Sequence, residues 1–305
     1  MDAASFNLMV SNLIVGLFHG DRRLVPASRT ITTLGYCLAY LEPSFKDQNG
    51  RLNPDGIAYS DAAELTILAE WSTGTFREGK KIQLLDYAKA SPTALTMKLG
   101  IPSRPAQNIG VWVILAPGKA VDYQNDKKLR ALPNLLWEEF HIAPNQFELV
   151  HVGGEFPDPH LTKLLKDGVR GKRLPQNYVK VSLDNLTIKS LAEPVMQSLI
   201  SFATKEFSPF SAQQLASDTY GVFDKLAFET RLVFIRHVKE VMNQFLKNHG
   251  KELVRRSVPD PPTWEFTWNG IDFGRMHVGK KLQRAADNFL KSINHGLFQA
   301  SLFDE

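Results

Sequence analysis

Residues 110–116, Gly-Val-Trp-Val-Ile-Leu-Ala, form an unbroken apolar run. Seven residues are far too few to span a bilayer, and the run suits a central strand buried on both faces. Its surroundings read as the rest of an α/β unit. Pro54–Ser60 predicts a short strand, Asp61-Ala62-Ala63 a turn, and Leu65–Ser72 a second, more apolar strand that can pair with the first as a hairpin. A polar loop, Thr73–Gly79, leads to a helix from Lys80 to about Ala90. Leu129–Phe140 is predicted as a further helix and Phe147–Val152 as one more strand. For Phe6–Phe18 and Thr30–Leu41, periodicity does not separate helix from strand. The order strand, strand, helix, strand, helix, strand implies an α/β fold class with a mixed sheet.

A length of 305 residues is about twice that of one ordinary domain, and 43% hydrophobic against 22% charged residues is globular composition. Between His160 and Lys180 the chain is polar, basic and Gly-containing, which predicts a linker or exposed loop. The expected organisation is an α/β domain over residues 1–165, a mostly helical domain over residues 185–298, and a tail at 299–305. Residues 1–150 balance 15 Lys+Arg against 15 Asp+Glu, whereas residues 151–305 carry 21 against 17 and hold the whole net charge of +4. Basic clusters fall at Lys163–Arg173, Arg231–Arg256 and Arg275–Lys291, as a phosphate-binding face would require.

Several function classes are excluded at this level. A single cysteine, Cys37, allows no internal disulfide and no zinc site built on two thiolates, and it favours a reducing compartment. Cytoplasmic location and no membrane insertion are expected, since no apolar run reaches about 18 residues and the first residues lack a basic secretory region. Neither a P-loop nor a dinucleotide fingerprint occurs, and the eight histidines show no metal-ligand spacing.

The candidate chemistry lies in the hairpin and the helix after it. Asp55 follows Pro54, Glu70 stands fifteen positions on inside an apolar strand, and the next helix carries Lys80, Gln83 and Tyr87. This pattern resembles the PD-(D/E)XK nuclease superfamily over residues 30–120. The resemblance implies that Asp55 and Glu70 bind Mg²⁺ or Mn²⁺, that a lysine helps the attacking water, and that the reaction is phosphodiester hydrolysis in DNA. Hard cations take carboxylate oxygens, and a metal offsets the charge that develops on phosphorus. The lysine expected two residues after Glu70 is replaced by Ser72. Some members of the superfamily carry it on the following helix, where Lys80 shares a face with Gln83 and Tyr87 while Lys81 lies over Leu85 and Ala88. The expected catalytic set is therefore Asp55, Glu70, Lys80 and Gln83.

The C-terminal part predicts helices over Leu191–Glu206, Ser211–Thr219 and Phe223–Lys247, then a hairpin of Leu253–Val258 and Trp264–Trp268. The third helix is expected to carry an apolar stripe of Leu226, Val233, Val238, Val241, Met242 and Phe245. Three helices and a hairpin resemble a winged-helix domain, which implies DNA contacts from Arg231, Arg236, Lys239, Asn243 and Lys247 on the third helix and from Arg255 and Arg256 on the wing. A last helix over Lys280–Leu297 precedes Gln299-Ala-Ser-Leu302-Phe303-Asp-Glu305. That tail resembles the sliding-clamp-binding peptide of bacterial replication and repair proteins, with Gln299, Leu302 and Phe303 as its anchors. Two functions from different classes follow: a metal-dependent DNA endonuclease, or a catalytically inactive DNA-binding adaptor recruited to the clamp.

Overall fold

The computed structural model describes residues 2–294 except 21, 48–49, 75–76, 102–107, 177, 182, 184–185, 259–260 and 268–274. The chain divides into two compact units, residues 1–182 with 224–230 and residues 183–223 with 231–305. Trp268 and the tail that carries Gln299, Leu302 and Phe303 lie outside the described residues.

The first unit is built on a seven-stranded mixed sheet in the order β1 (Cys37–Leu41), β4 (Gly56–Ser60), β5 (Leu65–Ser72), β6 (Asn108–Leu115), β7 (Leu135–Ala143), β8 (Gln146–Gly154), β9 (Val169–Gly171). β5, β6 and β7 are mutually parallel and every other pair is antiparallel. β2 (Phe45–Asp47) and β3 (Gly50–Leu52) form a separate ribbon. The apolar run at 110–116 becomes β6, in the middle of the sheet, with Val111 to Leu115 no more than 1% exposed.

Strand alternation gives the sheet two different faces. One carries Leu68, Val111 and Leu135, which face each other across the ladder, and likewise Val113 and Trp137 two residues further on. Against this face pack α3 (Glu78–Ala88), α4 (Pro92–Leu99), α5 (Ala120–Gln124) and α6 (Lys127–Arg130) through Leu84, Tyr87, Leu95, Tyr123 and Leu129. The other face carries Trp112 and Phe140 and is covered by α1 (Ala3–His19), whose Phe18 and Phe6 meet those rings edge-on. α1 starts at Asp2, which caps Ser5 N–H at 2.9 Å, and stops at Gly20 in the left-handed conformation.

Three expectations need correction. Thr30–Leu41 is not one element: α2 (Ser28–Thr33) ends before Gly35, whose φ of +78° reverses the chain into β1. Leu129–Phe140 is not a helix but short α6 followed by β7, because Pro133 breaks the run and Asn134 turns at φ +59°. Residues 160–180 are not a linker. They supply α7 (Pro159–Lys166), the edge strand β9 and a segment fastened to α1, where the Asn12 carbonyl accepts from Tyr178 and Val179 N–H and its amide donates to Val179 O at 2.6 Å.

The second unit runs α8 (Ile188–Thr204), β10 (Phe210–Ser211), α9 (Ala212–Thr219), α10 (Phe228–Phe245) from residue 231 on, β11 (Val254–Val258), β12 (Thr263–Phe266) and α11 (Arg275–Asn294). Its three strands are antiparallel in the order β10-β12-β11. α9 opens with a capping box in which Ser211 and Gln214 bond each other's backbone N–H. The predicted long helix is shorter: Phe223–Lys225 is a separate single turn, and a π-turn at Leu246–Gly250 follows α10. Its buried stripe is Phe234, Val238, Val241, Met242 and Phe245, at offsets of four, seven, eight and eleven. Val233 is 38% exposed, one position off that stripe, and Leu226 precedes the helix.

Candidate functional site

β4 and β5 are in register with Gly56 opposite Ala69 and Ile57 opposite Leu68. Asp55, one residue before β4, therefore stands opposite Glu70 on the face covered by α3. Asp55 Oδ2 accepts the Trp71 N–H at 2.7 Å, which fixes its carboxyl beside β5. Glu42 N–H donates to Asp55 O at 2.9 Å and holds the start of β4 against the end of β1.

α3 brings three polar side chains to Glu70. Lys80 Nζ forms an ion pair with Glu70 Oε1 and donates to Gln83 Oε1 at 3.1 Å. The Gln83 amide donates to Glu70 Oε2 at 3.1 Å and to Tyr87 Oη at 2.5 Å, and Tyr87 donates to Glu70 Oε2 at 2.9 Å. The offsets of three and seven from Lys80 place all three residues on one helix face. Lys81 points elsewhere, to Asp126 at 2.8 Å, where Asp126 caps α6. Ser72 has no part in the cluster, and its hydroxyl accepts Gly74 N–H at 3.0 Å.

Glu70 is 3% exposed and Tyr87 is fully buried. Burial, then the neighbouring Glu70 charge and that of Glu42, push the Asp55 carboxyl well above the usual carboxylate range, against the Trp71 N–H and Lys80. Burial also raises Glu70, against Lys80 and the hydrogen bonds from Tyr87 and Asp55. Two acids that repel in a dry site hold a proton between them unless a further positive charge enters. The Tyr87 phenol is pushed up by burial and by both acids, so it stays a donor.

Asp55 and Glu70 are the two carboxylates of this cluster that a hard divalent cation could take as donors. Among the described residues no group of three or more His, Cys, Asp or Glu is arranged to hold a metal, so the donor set is the two carboxylates. Mg²⁺ is characteristically held by one or two carboxylates, with water and substrate phosphate completing the shell. Sequence reasoning assigned no role to Tyr87, although its spacing from Gln83 was visible. Glu42 was missed outright, because its place depends on the β1–β4 register.

In the second unit Arg236, Asn243, Lys247 and Arg256 are exposed, and Arg231 and Lys239 are half-buried. Lys247 lies in the π-turn after α10. Arg255 is exposed but ion-paired to Glu265, directly across the β11–β12 ladder. No known protein family, curated protein or solved structure matches the chain. Among the described residues no helix is long and apolar enough to cross a membrane.

Proposed function

We propose that the protein is a metal-dependent DNA endonuclease of the PD-(D/E)XK type, whose second unit binds DNA in the manner of a winged helix. The observation that carries the reading is the convergence of Asp55, Glu70 and Lys80, with the amine supplied from α3 in place of the one missing at Ser72. Asp55 and Glu70 would hold Mg²⁺ or Mn²⁺. A cation there supplies Lewis-acid polarisation of the phosphoryl oxygen and lowers the pKa of a water.

The chain's own residues have separable tasks. Gln83 and Tyr87 hold Glu70 Oε2, leaving Oε1 to the cation site and Lys80. Lys80 orients the attacking water or a non-bridging phosphate oxygen, and its side chain is 21% exposed, so solvent and substrate reach it. In the second unit the strand order β10-β12-β11 and the exposed polar face of α10 support a recognition helix beside a hairpin wing. Arg255 and Arg256, both exposed on β11, are the proposed wing contacts, with Arg255 also paired to Glu265. The tail residues Gln299, Leu302 and Phe303 are proposed to engage a sliding clamp.

The test is incubation of a supercoiled plasmid with the purified chain and Mg²⁺ or Mn²⁺, beside Asp55→Ala. Nicking by the wild type and its loss in the variant are expected; no nicking with either metal refutes catalysis. One observation favours the adaptor reading: Ser72 leaves the usual lysine position empty of charge, and Lys80 then serves only to neutralise Glu70. In that case DNA binding survives Glu70→Ala and no cleavage is ever seen.

A further inference from the structure

The first unit gathers a basic groove at one corner, made from the neutral stretch 1–150 and the basic stretch that follows it. Arg22 and Arg23 precede α2, and Arg170, Lys172 and Arg173 lie in and just after β9; all five are exposed. Two backbone contacts bring these segments together. Gly171 lies so close to Leu24 O and the Phe147 ring that a Cβ there would collide with both, and Gly171 pairs with Phe147 in the β8–β9 ladder. Arg23, Arg170 and Lys172 line a groove with Asn145, Gln146 and Glu148. Glu148 is its one acid and pairs with Arg170 at 2.6 Å. Arg22, Arg23, Lys172 and Arg173 have no ion-pair partner among the described residues.

The topology sets this groove at the same end of the sheet as Asp55 and Glu70. Glu70 is near the carboxyl end of β5, and β7, parallel to it through β6, runs on past that level into the hairpin at 143–146. β9 is antiparallel to β8 and so ends at the same hairpin. Between the two sites lies Lys119, half-buried on the turn after β6 and also without an ion-pair partner among the described residues. Glu139 holds that turn by accepting Ala120 N–H at 3.1 Å.

We infer that the Arg22–Arg23 and Lys172–Arg173 groove grips the phosphate backbone of a DNA duplex whose scissile phosphate lies at Asp55 and Glu70, with Lys119 as an intermediate contact. The inference rests on the nuclease reading above and adds a footprint to it. From β5 to β9 is four strand spacings of about 4.8 Å, and from the Trp137 level to Ile142 is five residues of about 3.4 Å, which gives about 26 Å along the diagonal. At about 3.4 Å per phosphate along one strand, that is about seven to eight base pairs on one side of the cut. The cations of the first unit then fix where along the duplex the cut falls, independently of the second unit.

The experiment measures binding of the full chain to a fluorescent duplex across a salt series, for the wild type and for Arg23→Ala/Lys172→Ala. Losing two phosphate contacts lowers the slope of log K against log salt by about 1.8. The melting temperature is expected to stay unchanged, because both side chains are exposed. A duplex ending three base pairs from the cut on that side should bind wild type and variant alike. If the wild type binds DNA and the slope does not move, this inference fails while the nuclease reading stands. If the wild type neither binds nor nicks DNA, both fail. Capture by phosphatidylserine vesicles through these arginines, without DNA binding, overturns the inference in favour of a lipid surface.

Discussion

Glu138 gives the sharpest quantitative test of the fold. It sits on β7 with no exposed surface, on the face covered by α1. Its Oε2 accepts Trp112 Nε1–H at 2.8 Å, and its Oε1 has no hydrogen-bond partner among the described residues. Burial pushes this carboxyl from its ordinary 4.5 to about 8, and the Trp112 hydrogen bond only partly opposes that rise. Between those two values the folded chain holds a proton that the unfolded chain has lost. Stability from this group is therefore complete below the unfolded value and falls as pH rises through the folded one. At about 1.36 kcal/mol per pH unit, the loss is about 2 kcal/mol at pH 6 and approaches 5 kcal/mol at pH 9. Glu138→Gln cannot titrate and keeps an acceptor for Trp112. Its amide nitrogen, lacking a partner, costs about 1–3 kcal/mol at every pH, so it cancels in a comparison between two pH values. Urea melts followed by tryptophan fluorescence should show the variant gaining about 2–3 kcal/mol on the wild type between pH 6 and pH 9. A gap between variant and wild type that does not change with pH refutes the argument.

Three other outcomes are expected. Mg²⁺ should raise the melting temperature more at pH 8 than at pH 6, since the raised Asp55 and Glu70 carboxyls hold protons that compete with the cation; calorimetry on Glu70→Gln should show that response gone. Lys80→Ala should cut the nicking rate at least about 100-fold, the scale of a lost group that acts on the transition state, and Lys81→Ala should leave nicking unchanged and lower the melting temperature slightly. Gly171→Ala should destabilise the first unit by about 2 kcal/mol or more, since its Cβ meets the Leu24 carbonyl and the Phe147 ring; a melt equal to wild type would mean the 22–24 segment is not seated on β9.

What was legible in the sequence follows from which interactions are local. Asp55 and Glu70 are singled out by the resemblance to a nuclease motif, and helical spacing puts Lys80 on one face with Gln83 and Tyr87, the side chains that the structure brings to Glu70. β7 was misread because Leu129, Leu132, Leu136 and Phe140 also recur at helical offsets, and only the chain reversal at Asn134 decides against a helix. Residues 160–180 looked like a linker because their apolar residues are few. Leu161, Leu165, Val169 and Val179 are nonetheless all buried, by partners far away in sequence. Glu42 and the basic groove depend on strand order, which no local pattern encodes.

The strand period also separates the proposed chemistry from the stability of the first unit. Glu70 aligns with Val113 and Trp137 across the parallel ladder, and Glu138 comes one residue after Trp137. A single step along β7 therefore puts the two buried carboxyls on opposite faces of one sheet. Glu70 meets Lys80, Gln83 and Tyr87 and can be charged at neutral pH once a cation joins Asp55, whereas Glu138 meets only an indole N–H and stays protonated. Glu138→Gln should then alter the pH dependence of unfolding without touching cleavage. Asp55→Asn should abolish cleavage and lower, rather than add to, the cost of burying two acids side by side. A Glu138→Gln variant that lost nicking while still folding would show that the α1-covered face communicates with the site, and the division of roles between the two faces would have to be abandoned.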